Sequence, residues 1–207
     1  MSNYAQVEKR YNAAEFESYV ETARKISGND DARYELIDGV VYMMASPNET
    51  HHDLSDFLHD TLRGYFSDKG CKVYRAPFDL YLFDKRKYVL FTMSKADCDN
   101  QYIPDFMVVC DKNKRKPDGV YGAPDIVIEI VSKSNATNDY VRKLNPYITF
   151  GVKEYWILDP GKKKIIVYDN TSDDVSLYNY TFDDIVKSMV FDDLAIDFKM
   201  FVFPDEG

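Results

Sequence analysis

Two short apolar runs, Phe106 to Cys110 and Ile126 to Val131, stand out against their polar flanks. Both are rich in Val and Ile and of the length of buried strands. Each is entered by a Pro-Asp pair, Pro104-Asp105 and Pro124-Asp125, and the polar stretch 112–122 between them suits a connection between antiparallel strands. Upstream, apolar residues at helical spacing (Phe16, Tyr19, Val20, Ala23) predict a helix over Asn12 to Ile26, with Asn12 as N-cap and Gly28 near its stop. Tyr34 to Ile37 and Val40 to Met44 read as a hairpin closed by Asp38-Gly39. Leu54, Phe57, Leu58, Leu62 and Tyr65 stripe a second helix, Glu49 to Phe66, in which His51 is in phase with the apolar face and His52 is not.

Val73 to Phe83 predicts a strand bent at Pro77. Tyr88 to Phe91 suggests a short edge strand. A third helix is expected over Thr137 to Phe150, capped by Asn135 or Thr137 and stopped by Gly151, with Pro146 kinking it or delaying its regular part. Glu154 to Leu158, Lys164 to Tyr168 and Val175 to Tyr180 complete the strands, and the tail from Ser188 to Phe203 alternates loosely. The layout is an α/β (α+β) fold with helices around one mixed sheet, read as a single domain over residues 1–207 because no linker or repeat divides it.

Composition narrows the function classes. The chain is 45% apolar and 29% charged, as ordered globular proteins are. Neither a membrane-spanning run nor an apolar leader is visible, so the expectation is a cytoplasmic protein. A net charge of −9 argues against coating nucleic acid by bulk electrostatics, though not against a local grip on phosphates. Cys71, Cys98 and Cys110 form no spaced pair and are expected to be free thiols.

The chemistry lies in the two central strands. Strand parity puts Asp125, Val127, Glu129 and Val131 on one face, with Ile126, Ile128 and Ile130 on the other. A carboxylate amid that apolar run needs a partner, a proton or a metal. Antiparallel pairing would bring Asp105 up to Glu129, and two such carboxylates with retained waters suit Mg²⁺ or Mn²⁺. Lys143, on the following helix beside Tyr140 and Tyr147, could reach that cluster. A divalent ion, a water and a nearby cation suit phosphodiester hydrolysis. Alternatives remain. Asp105 and Asp125 could be turn residues, and Glu129 could pair structurally with Lys143 or Arg142. His52 and Asp56, at i, i+4 spacing, could ligate a metal or simply line a solvated helix face. The basic run Lys112, Lys114, Arg115 and Lys116 could be a hairpin tip or a phosphate contact.

With these residues in hand, the chain resembles the Uma-two family of restriction-endonuclease-like proteins, placed in the PD-(D/E)xK nuclease superfamily. The shared pattern is Glu35-Leu36-Ile37-Asp38-Gly39, His51 or His52, Pro104-Asp105 and Gly122-Ala123-Pro124-Asp125 with Glu129 and Ser132. It continues as Asp139, Lys143 and Tyr147, then Gly151-Val152-Lys153-Glu154-Tyr155-Trp156-Ile157-Leu158-Asp159-Pro160. The resemblance implies a restriction-endonuclease-like core and a metal-dependent endonuclease acting on DNA. Asp105, Glu129 and the Ile130 carbonyl would hold Mg²⁺ or Mn²⁺, Asp105, Glu129 and Lys143 would form the catalytic set, and the chain could be a homodimer. The superfamily's lysine stands two residues beyond the second acid; that position here is Val131, and the resemblance supplies Lys143 instead. The competing expectation is a catalytically silent nuclease-like fold that binds nucleic acid or protein. A third is a purely structural network of Asp105, Lys143 and Glu129.

Overall fold

A computed structural model describes residues 9–83, 94–132 and 136–204. The edge strand expected at Tyr88 to Phe91 and the cap expected at Asn135 lie outside these residues. Helix α1 (Ala13–Ser27) begins at a capping box, in which the Asn12 side chain accepts the Glu15 N–H and Glu15 reaches back to the Asn12 N–H. It ends on left-handed Gly28. Strands β1 (Tyr34–Ile37) and β2 (Val40–Met43) form the expected hairpin. Positive φ at Asp38 (49°) and Gly39 (77°) gives the turn that matches strand twist. Helix α2 (Glu49–Phe66) follows, with Asn48 as its N-cap.

The expected strand from Val73 to Phe83 is instead two strands, β3 (Lys72–Arg75) and β4 (Leu80–Tyr81), in different sheets. Pro77 lies between them and offers no N–H to continue a ladder. After β5 (Gln101–Tyr102) come β6 (Phe106–Val109), β7 (Arg115–Lys116), β8 (Gly119–Tyr121) and β9 (Ile126–Ile130). Strands β6 and β9 pair antiparallel as expected, but their connection contributes β7 and β8 to the neighbouring sheet.

The third helical stretch opens with a wide π turn over Asn138–Arg142, and its regular part, α3 (Leu144–Phe150), begins at Leu144. The expected delay is thus observed, with no side-chain cap from Thr137. Pro146 has no N–H for the Arg142 carbonyl and its ring crowds that group, which disfavours an ordinary α turn there. The wide turn carries the Lys143 N–H to the Asn138 carbonyl at 2.8 Å. Strands β10 (Glu154–Asp159), β11 (Lys164–Asp169), β12 (Ser176–Thr181), β13 (Ile185–Lys187) and β14 (Ala195–Asp197) complete the chain.

One six-stranded sheet runs β2-β1-β5-β4-β8-β7 and the other β12-β11-β10-β9-β6-β3; β13 and β14 pair apart. The second sheet is mixed, since β9 is antiparallel to β6 and parallel to β10. Its two faces follow the alternation of the sequence. Ile126, Ile128 and Ile130 join Phe106 and Val108 under the α2 stripe of Leu54, Leu58, Leu62 and Phe66. Val127 and Val131 join Met107, Val109, Tyr147 and Tyr155 on the other face. Burying each such aliphatic side chain contributes about 1.5–3 kcal/mol. Strand β9 is therefore covered on both faces, and Glu129 is the one charge within it.

The three cysteines are not all free thiols. Cys71 and Cys110 are disulfide-bonded, and only Cys98 is a buried free thiol. Strand pairing explains this. Lys72 lies opposite Val109, so the next residues outward, Cys71 and Cys110, face each other across the pair. Their separation of 39 residues matches no short cysteine motif.

Candidate active site

One step beyond the Phe106–Ile128 pair, the β6–β9 register sets Asp105 opposite Glu129. The loop entering β6 at Pro104 supplies the first acid and the middle of β9 the second. Asp105 is half-buried. Its Oδ2 accepts the Ile130 N–H at 2.7 Å, and its Oδ1 lies 3.2 Å from Nε2 of His51 on the inner face of α2. The N–H and C=O of one strand residue face the same edge, so the Ile130 carbonyl is directed to the Asp105 side as well.

Glu129 is almost fully buried. Its Oε1 accepts from Lys143 Nζ at 3.0 Å and from the Tyr147 hydroxyl at 2.9 Å. Its Oε2 accepts nothing from the described residues. The Lys143 ammonium, itself 2% exposed, also stands 3.0 Å from Glu35 Oε2 and 3.2 Å from Asp139 Oδ1. Three carboxylates thus surround the one ammonium. Glu35 reaches over from β1 in the other sheet, and its Oε1 accepts the Ile103 N–H at 3.0 Å.

Burial dominates the electrostatics. It raises the Glu129 carboxyl well above the usual range against the pull of Lys143, and raises Asp139 to about 6. For Lys143 burial works toward neutrality, but Glu129, Glu35 and Asp139 outweigh it and keep the ammonium charged far above its ordinary range. Three carboxylates around one lysine, with Asp105 at the rim, leave a surplus of negative charge.

A cleft of about 110 Å³ opens over this cluster, bordered by His51, Asp105, Glu129, Ile130, Asp139 and Lys143. The sequence-predicted residues Asp105, Glu129, Ile130 and Lys143 therefore meet in one place. Asp125 does not join them: at the other end of β9 it accepts the Cys110 N–H and pairs with Lys153 at 2.6 Å. Arg142 bonds to Asn138 instead of Glu129. His52 sits exposed at the rim, while Asp56 pairs with Arg75. In the basic run, Arg115 Nη2 donates to the carbonyls of Gly70, Val109 and Cys110, and Lys114 Nζ to that of Ala123. Those two cations are turned onto the backbone.

Among the described residues, no three His, Cys, Asp or Glu side chains converge at metal-ligand spacing. The carboxylates converge on the Lys143 ammonium instead. Sequence reasoning assigned no site role to Glu35, Asp139, Tyr147 or His51. The available signals were the i, i+4 spacing of Asp139 and Lys143, the phase of His51 in α2, and the need of a buried lysine for more than one partner.

Comparison with known proteins identifies the fold and the family. The chain is similar to a crystal structure described as "a putative nuclease belonging to DUF820" from Anabaena variabilis. The TM-score is 0.60 at 17% identity, over 80% of this chain and 87% of that one. At that identity the likeness establishes the fold. No curated protein matches the sequence. The model of the Uma2 family, described as "Putative restriction endonuclease", matches residues 16–199, which include β1, Asp105, Glu129 and Lys143. The chain belongs to the Uma2 family.

Proposed function

We propose that the protein is a divalent-metal-dependent endonuclease that hydrolyses DNA phosphodiester bonds. The observation that carries this reading is the facing of Asp105 and Glu129 across β6 and β9, in one cleft with Lys143. The donor chemistry suits a hard cation: two carboxylates and the Ile130 carbonyl are all oxygen ligands, few enough for Mg²⁺ or Mn²⁺ to keep its waters. The surplus negative charge is of the sign such an ion offsets. When bound there, the ion supplies Lewis-acid polarisation of a phosphoryl oxygen.

The chain's own residues do the rest. The Ile130 N–H and His51 fix the Asp105 carboxylate, so its orientation is set before substrate arrives. Tyr147 and Lys143 hold Oε1 of Glu129 and leave Oε2 without a partner among the described residues. Lys143 provides a fixed positive charge at the floor of the cleft, where it favours the charge that develops on an attacked phosphate. Donation from its ammonium to the attacking water requires that one of its three carboxylates first let go.

Supercoiled plasmid with Mg²⁺ or Mn²⁺ tests this. The wild type should nick it and Asp105→Ala should not; equal nicking by the two proteins would reject the assignment. The full engagement of Lys143 favours one other reading, a silent nuclease-like fold that binds nucleic acid or protein. Calorimetric titration separates them, because a silent site should give no Mg²⁺ heat that disappears in Glu129→Gln.

A further inference from the structure

A second, larger cleft of about 690 Å³ adjoins the first, and Ser132, three residues beyond Glu129, borders both. We propose that this cleft receives the phosphodiester backbone of the nucleic-acid strand whose scissile phosphate lies at Asp105 and Glu129, with Lys162 and Lys163 as its phosphate contacts. The inference rests on the nuclease reading and names the path of the substrate.

Position comes first. A polymer engaged in the 110 Å³ cleft must continue out of it, and Ser132 borders both that space and the larger cleft. Its volume far exceeds what a single phosphate fills.

Its lining suits a polyanion with flat, partly apolar units. Lys162 and Lys163 project from the turn between β10 and β11. Among the described residues, the one carboxylate bordering the cleft, Asp159, is already matched. Its Oδ2 accepts the Tyr140 hydroxyl at 2.8 Å and lies 3.1 Å from Lys162 Nζ, and its Oδ1 accepts the Lys162 N–H at 2.9 Å. The Lys163 ammonium stands 5.2 Å over the Phe203 ring. That ring, with Pro160 and Pro204 on the same wall, offers an apolar surface for a sugar or base.

Two polar groups belong to residues that border the same space. The Ser132 Oγ is shielded from water and has no hydrogen-bond partner among the described residues. Such an oxygen is costly unless a ligand supplies the bond. The amino end of α2 borders the cleft at Asn48 and Thr50 and adds N–H groups not used inside the helix. With −9 on the whole chain, attraction for a nucleic acid has to be local, and a pair of lysines on a cleft that shares Ser132 with the candidate site meets that condition.

The test is fluorescence anisotropy of short labelled DNA and RNA oligonucleotides, in chelator so that nothing is cleaved, across a range of salt. Lys162→Ala/Lys163→Ala should weaken binding about tenfold and lower the slope of log K against log[salt] by about 1–2. Lys163→Glu should weaken it as well, whereas Lys25→Ala, on α1, should not. Tighter binding of DNA or of RNA identifies the polymer, and either preference supports the proposal. Wild-type binding that the double variant leaves unchanged, or no binding of either oligonucleotide by the wild type, overturns it. Plasmid nicking is scored separately: loss of oligonucleotide affinity in the double variant, with a wild type that never nicks, supports the cleft and rejects the nuclease.

Discussion

Glu35 and Lys143 join the two sheets at the candidate site. The Glu35 Oε2 lies 3.0 Å from the ammonium, with both side chains at most 2% exposed. The same glutamate accepts the N–H of Ile103, two residues before Asp105. One side chain of the first sheet therefore touches both the lysine beside Glu129 and the loop that delivers Asp105.

Removing the ammonium should be costly because it leaves buried carboxylates with no counter-charge. Lys143→Met is expected to lower the unfolding free energy by about 3–5 kcal/mol, measured by urea denaturation at neutral pH. A loss under about 1 kcal/mol would mean that the carboxylates compensate by holding protons.

Asp105→Asn separates charge from shape. The amide oxygen can still accept the Ile130 N–H, so thermal stability should stay close to that of the wild type. Mg²⁺-dependent plasmid nicking should fall by about 100-fold or more, as expected when a charged group at the reacting centre is lost. A variant that nicks at the wild-type rate would remove Asp105 from the chemistry.

The pH dependence has a definite sign. Burial raises Asp139 from 3.8 to about 6 in the folded protein, and Glu129 is raised too, so the native state holds these protons more tightly than the unfolded chain. Stability from these groups is present at low pH and is lost as pH rises from about 4 through about 6, and beyond that for Glu129. Relative to wild type, Asp139→Asn should therefore gain stability over this window, by about 3 kcal/mol for two pKa units. A divalent ion that competes with these protons should raise the melting temperature more at about pH 8 than at about pH 5. Thermal melts with and without Mg²⁺ check both; a Mg²⁺ effect independent of pH would place the ion elsewhere.

The Cys71–Cys110 bond closes a loop of 39 residues, for which chain entropy gives about 4 kcal/mol. Reduction should lower the denaturation midpoint accordingly. Intact-mass measurement before and after reduction should show the gain of two hydrogens. An unchanged mass would show that the purified protein carries free thiols.

Local pattern alone determined a good deal. Alternation through Phe106–Val109 and Ile126–Ile130 specified two strands and set Glu129 on the face opposite Ile126, Ile128 and Ile130, because side chains in a strand reverse direction at every residue. Asn12, Gly28 and Asp38-Gly39 announced the ends of α1 and the first hairpin, since caps and tight turns depend on a few adjacent residues. The burial of Glu129 was likewise legible, and with it the need for a partner. Which partners come was decided only by the tertiary structure. Glu35 and His51 arrive from elements far off in the chain, and nothing near them in sequence records whom they meet. The division of the expected Val73–Phe83 strand between two sheets, and the approach of Cys71 to Cys110, depend in the same way on how whole strands pair. Periodicity reports which face of an element is covered. Only the packing of one element on another decides which charge is brought to which, and in this protein that settles whether Glu129 faces apolar side chains or a lysine held by three acids.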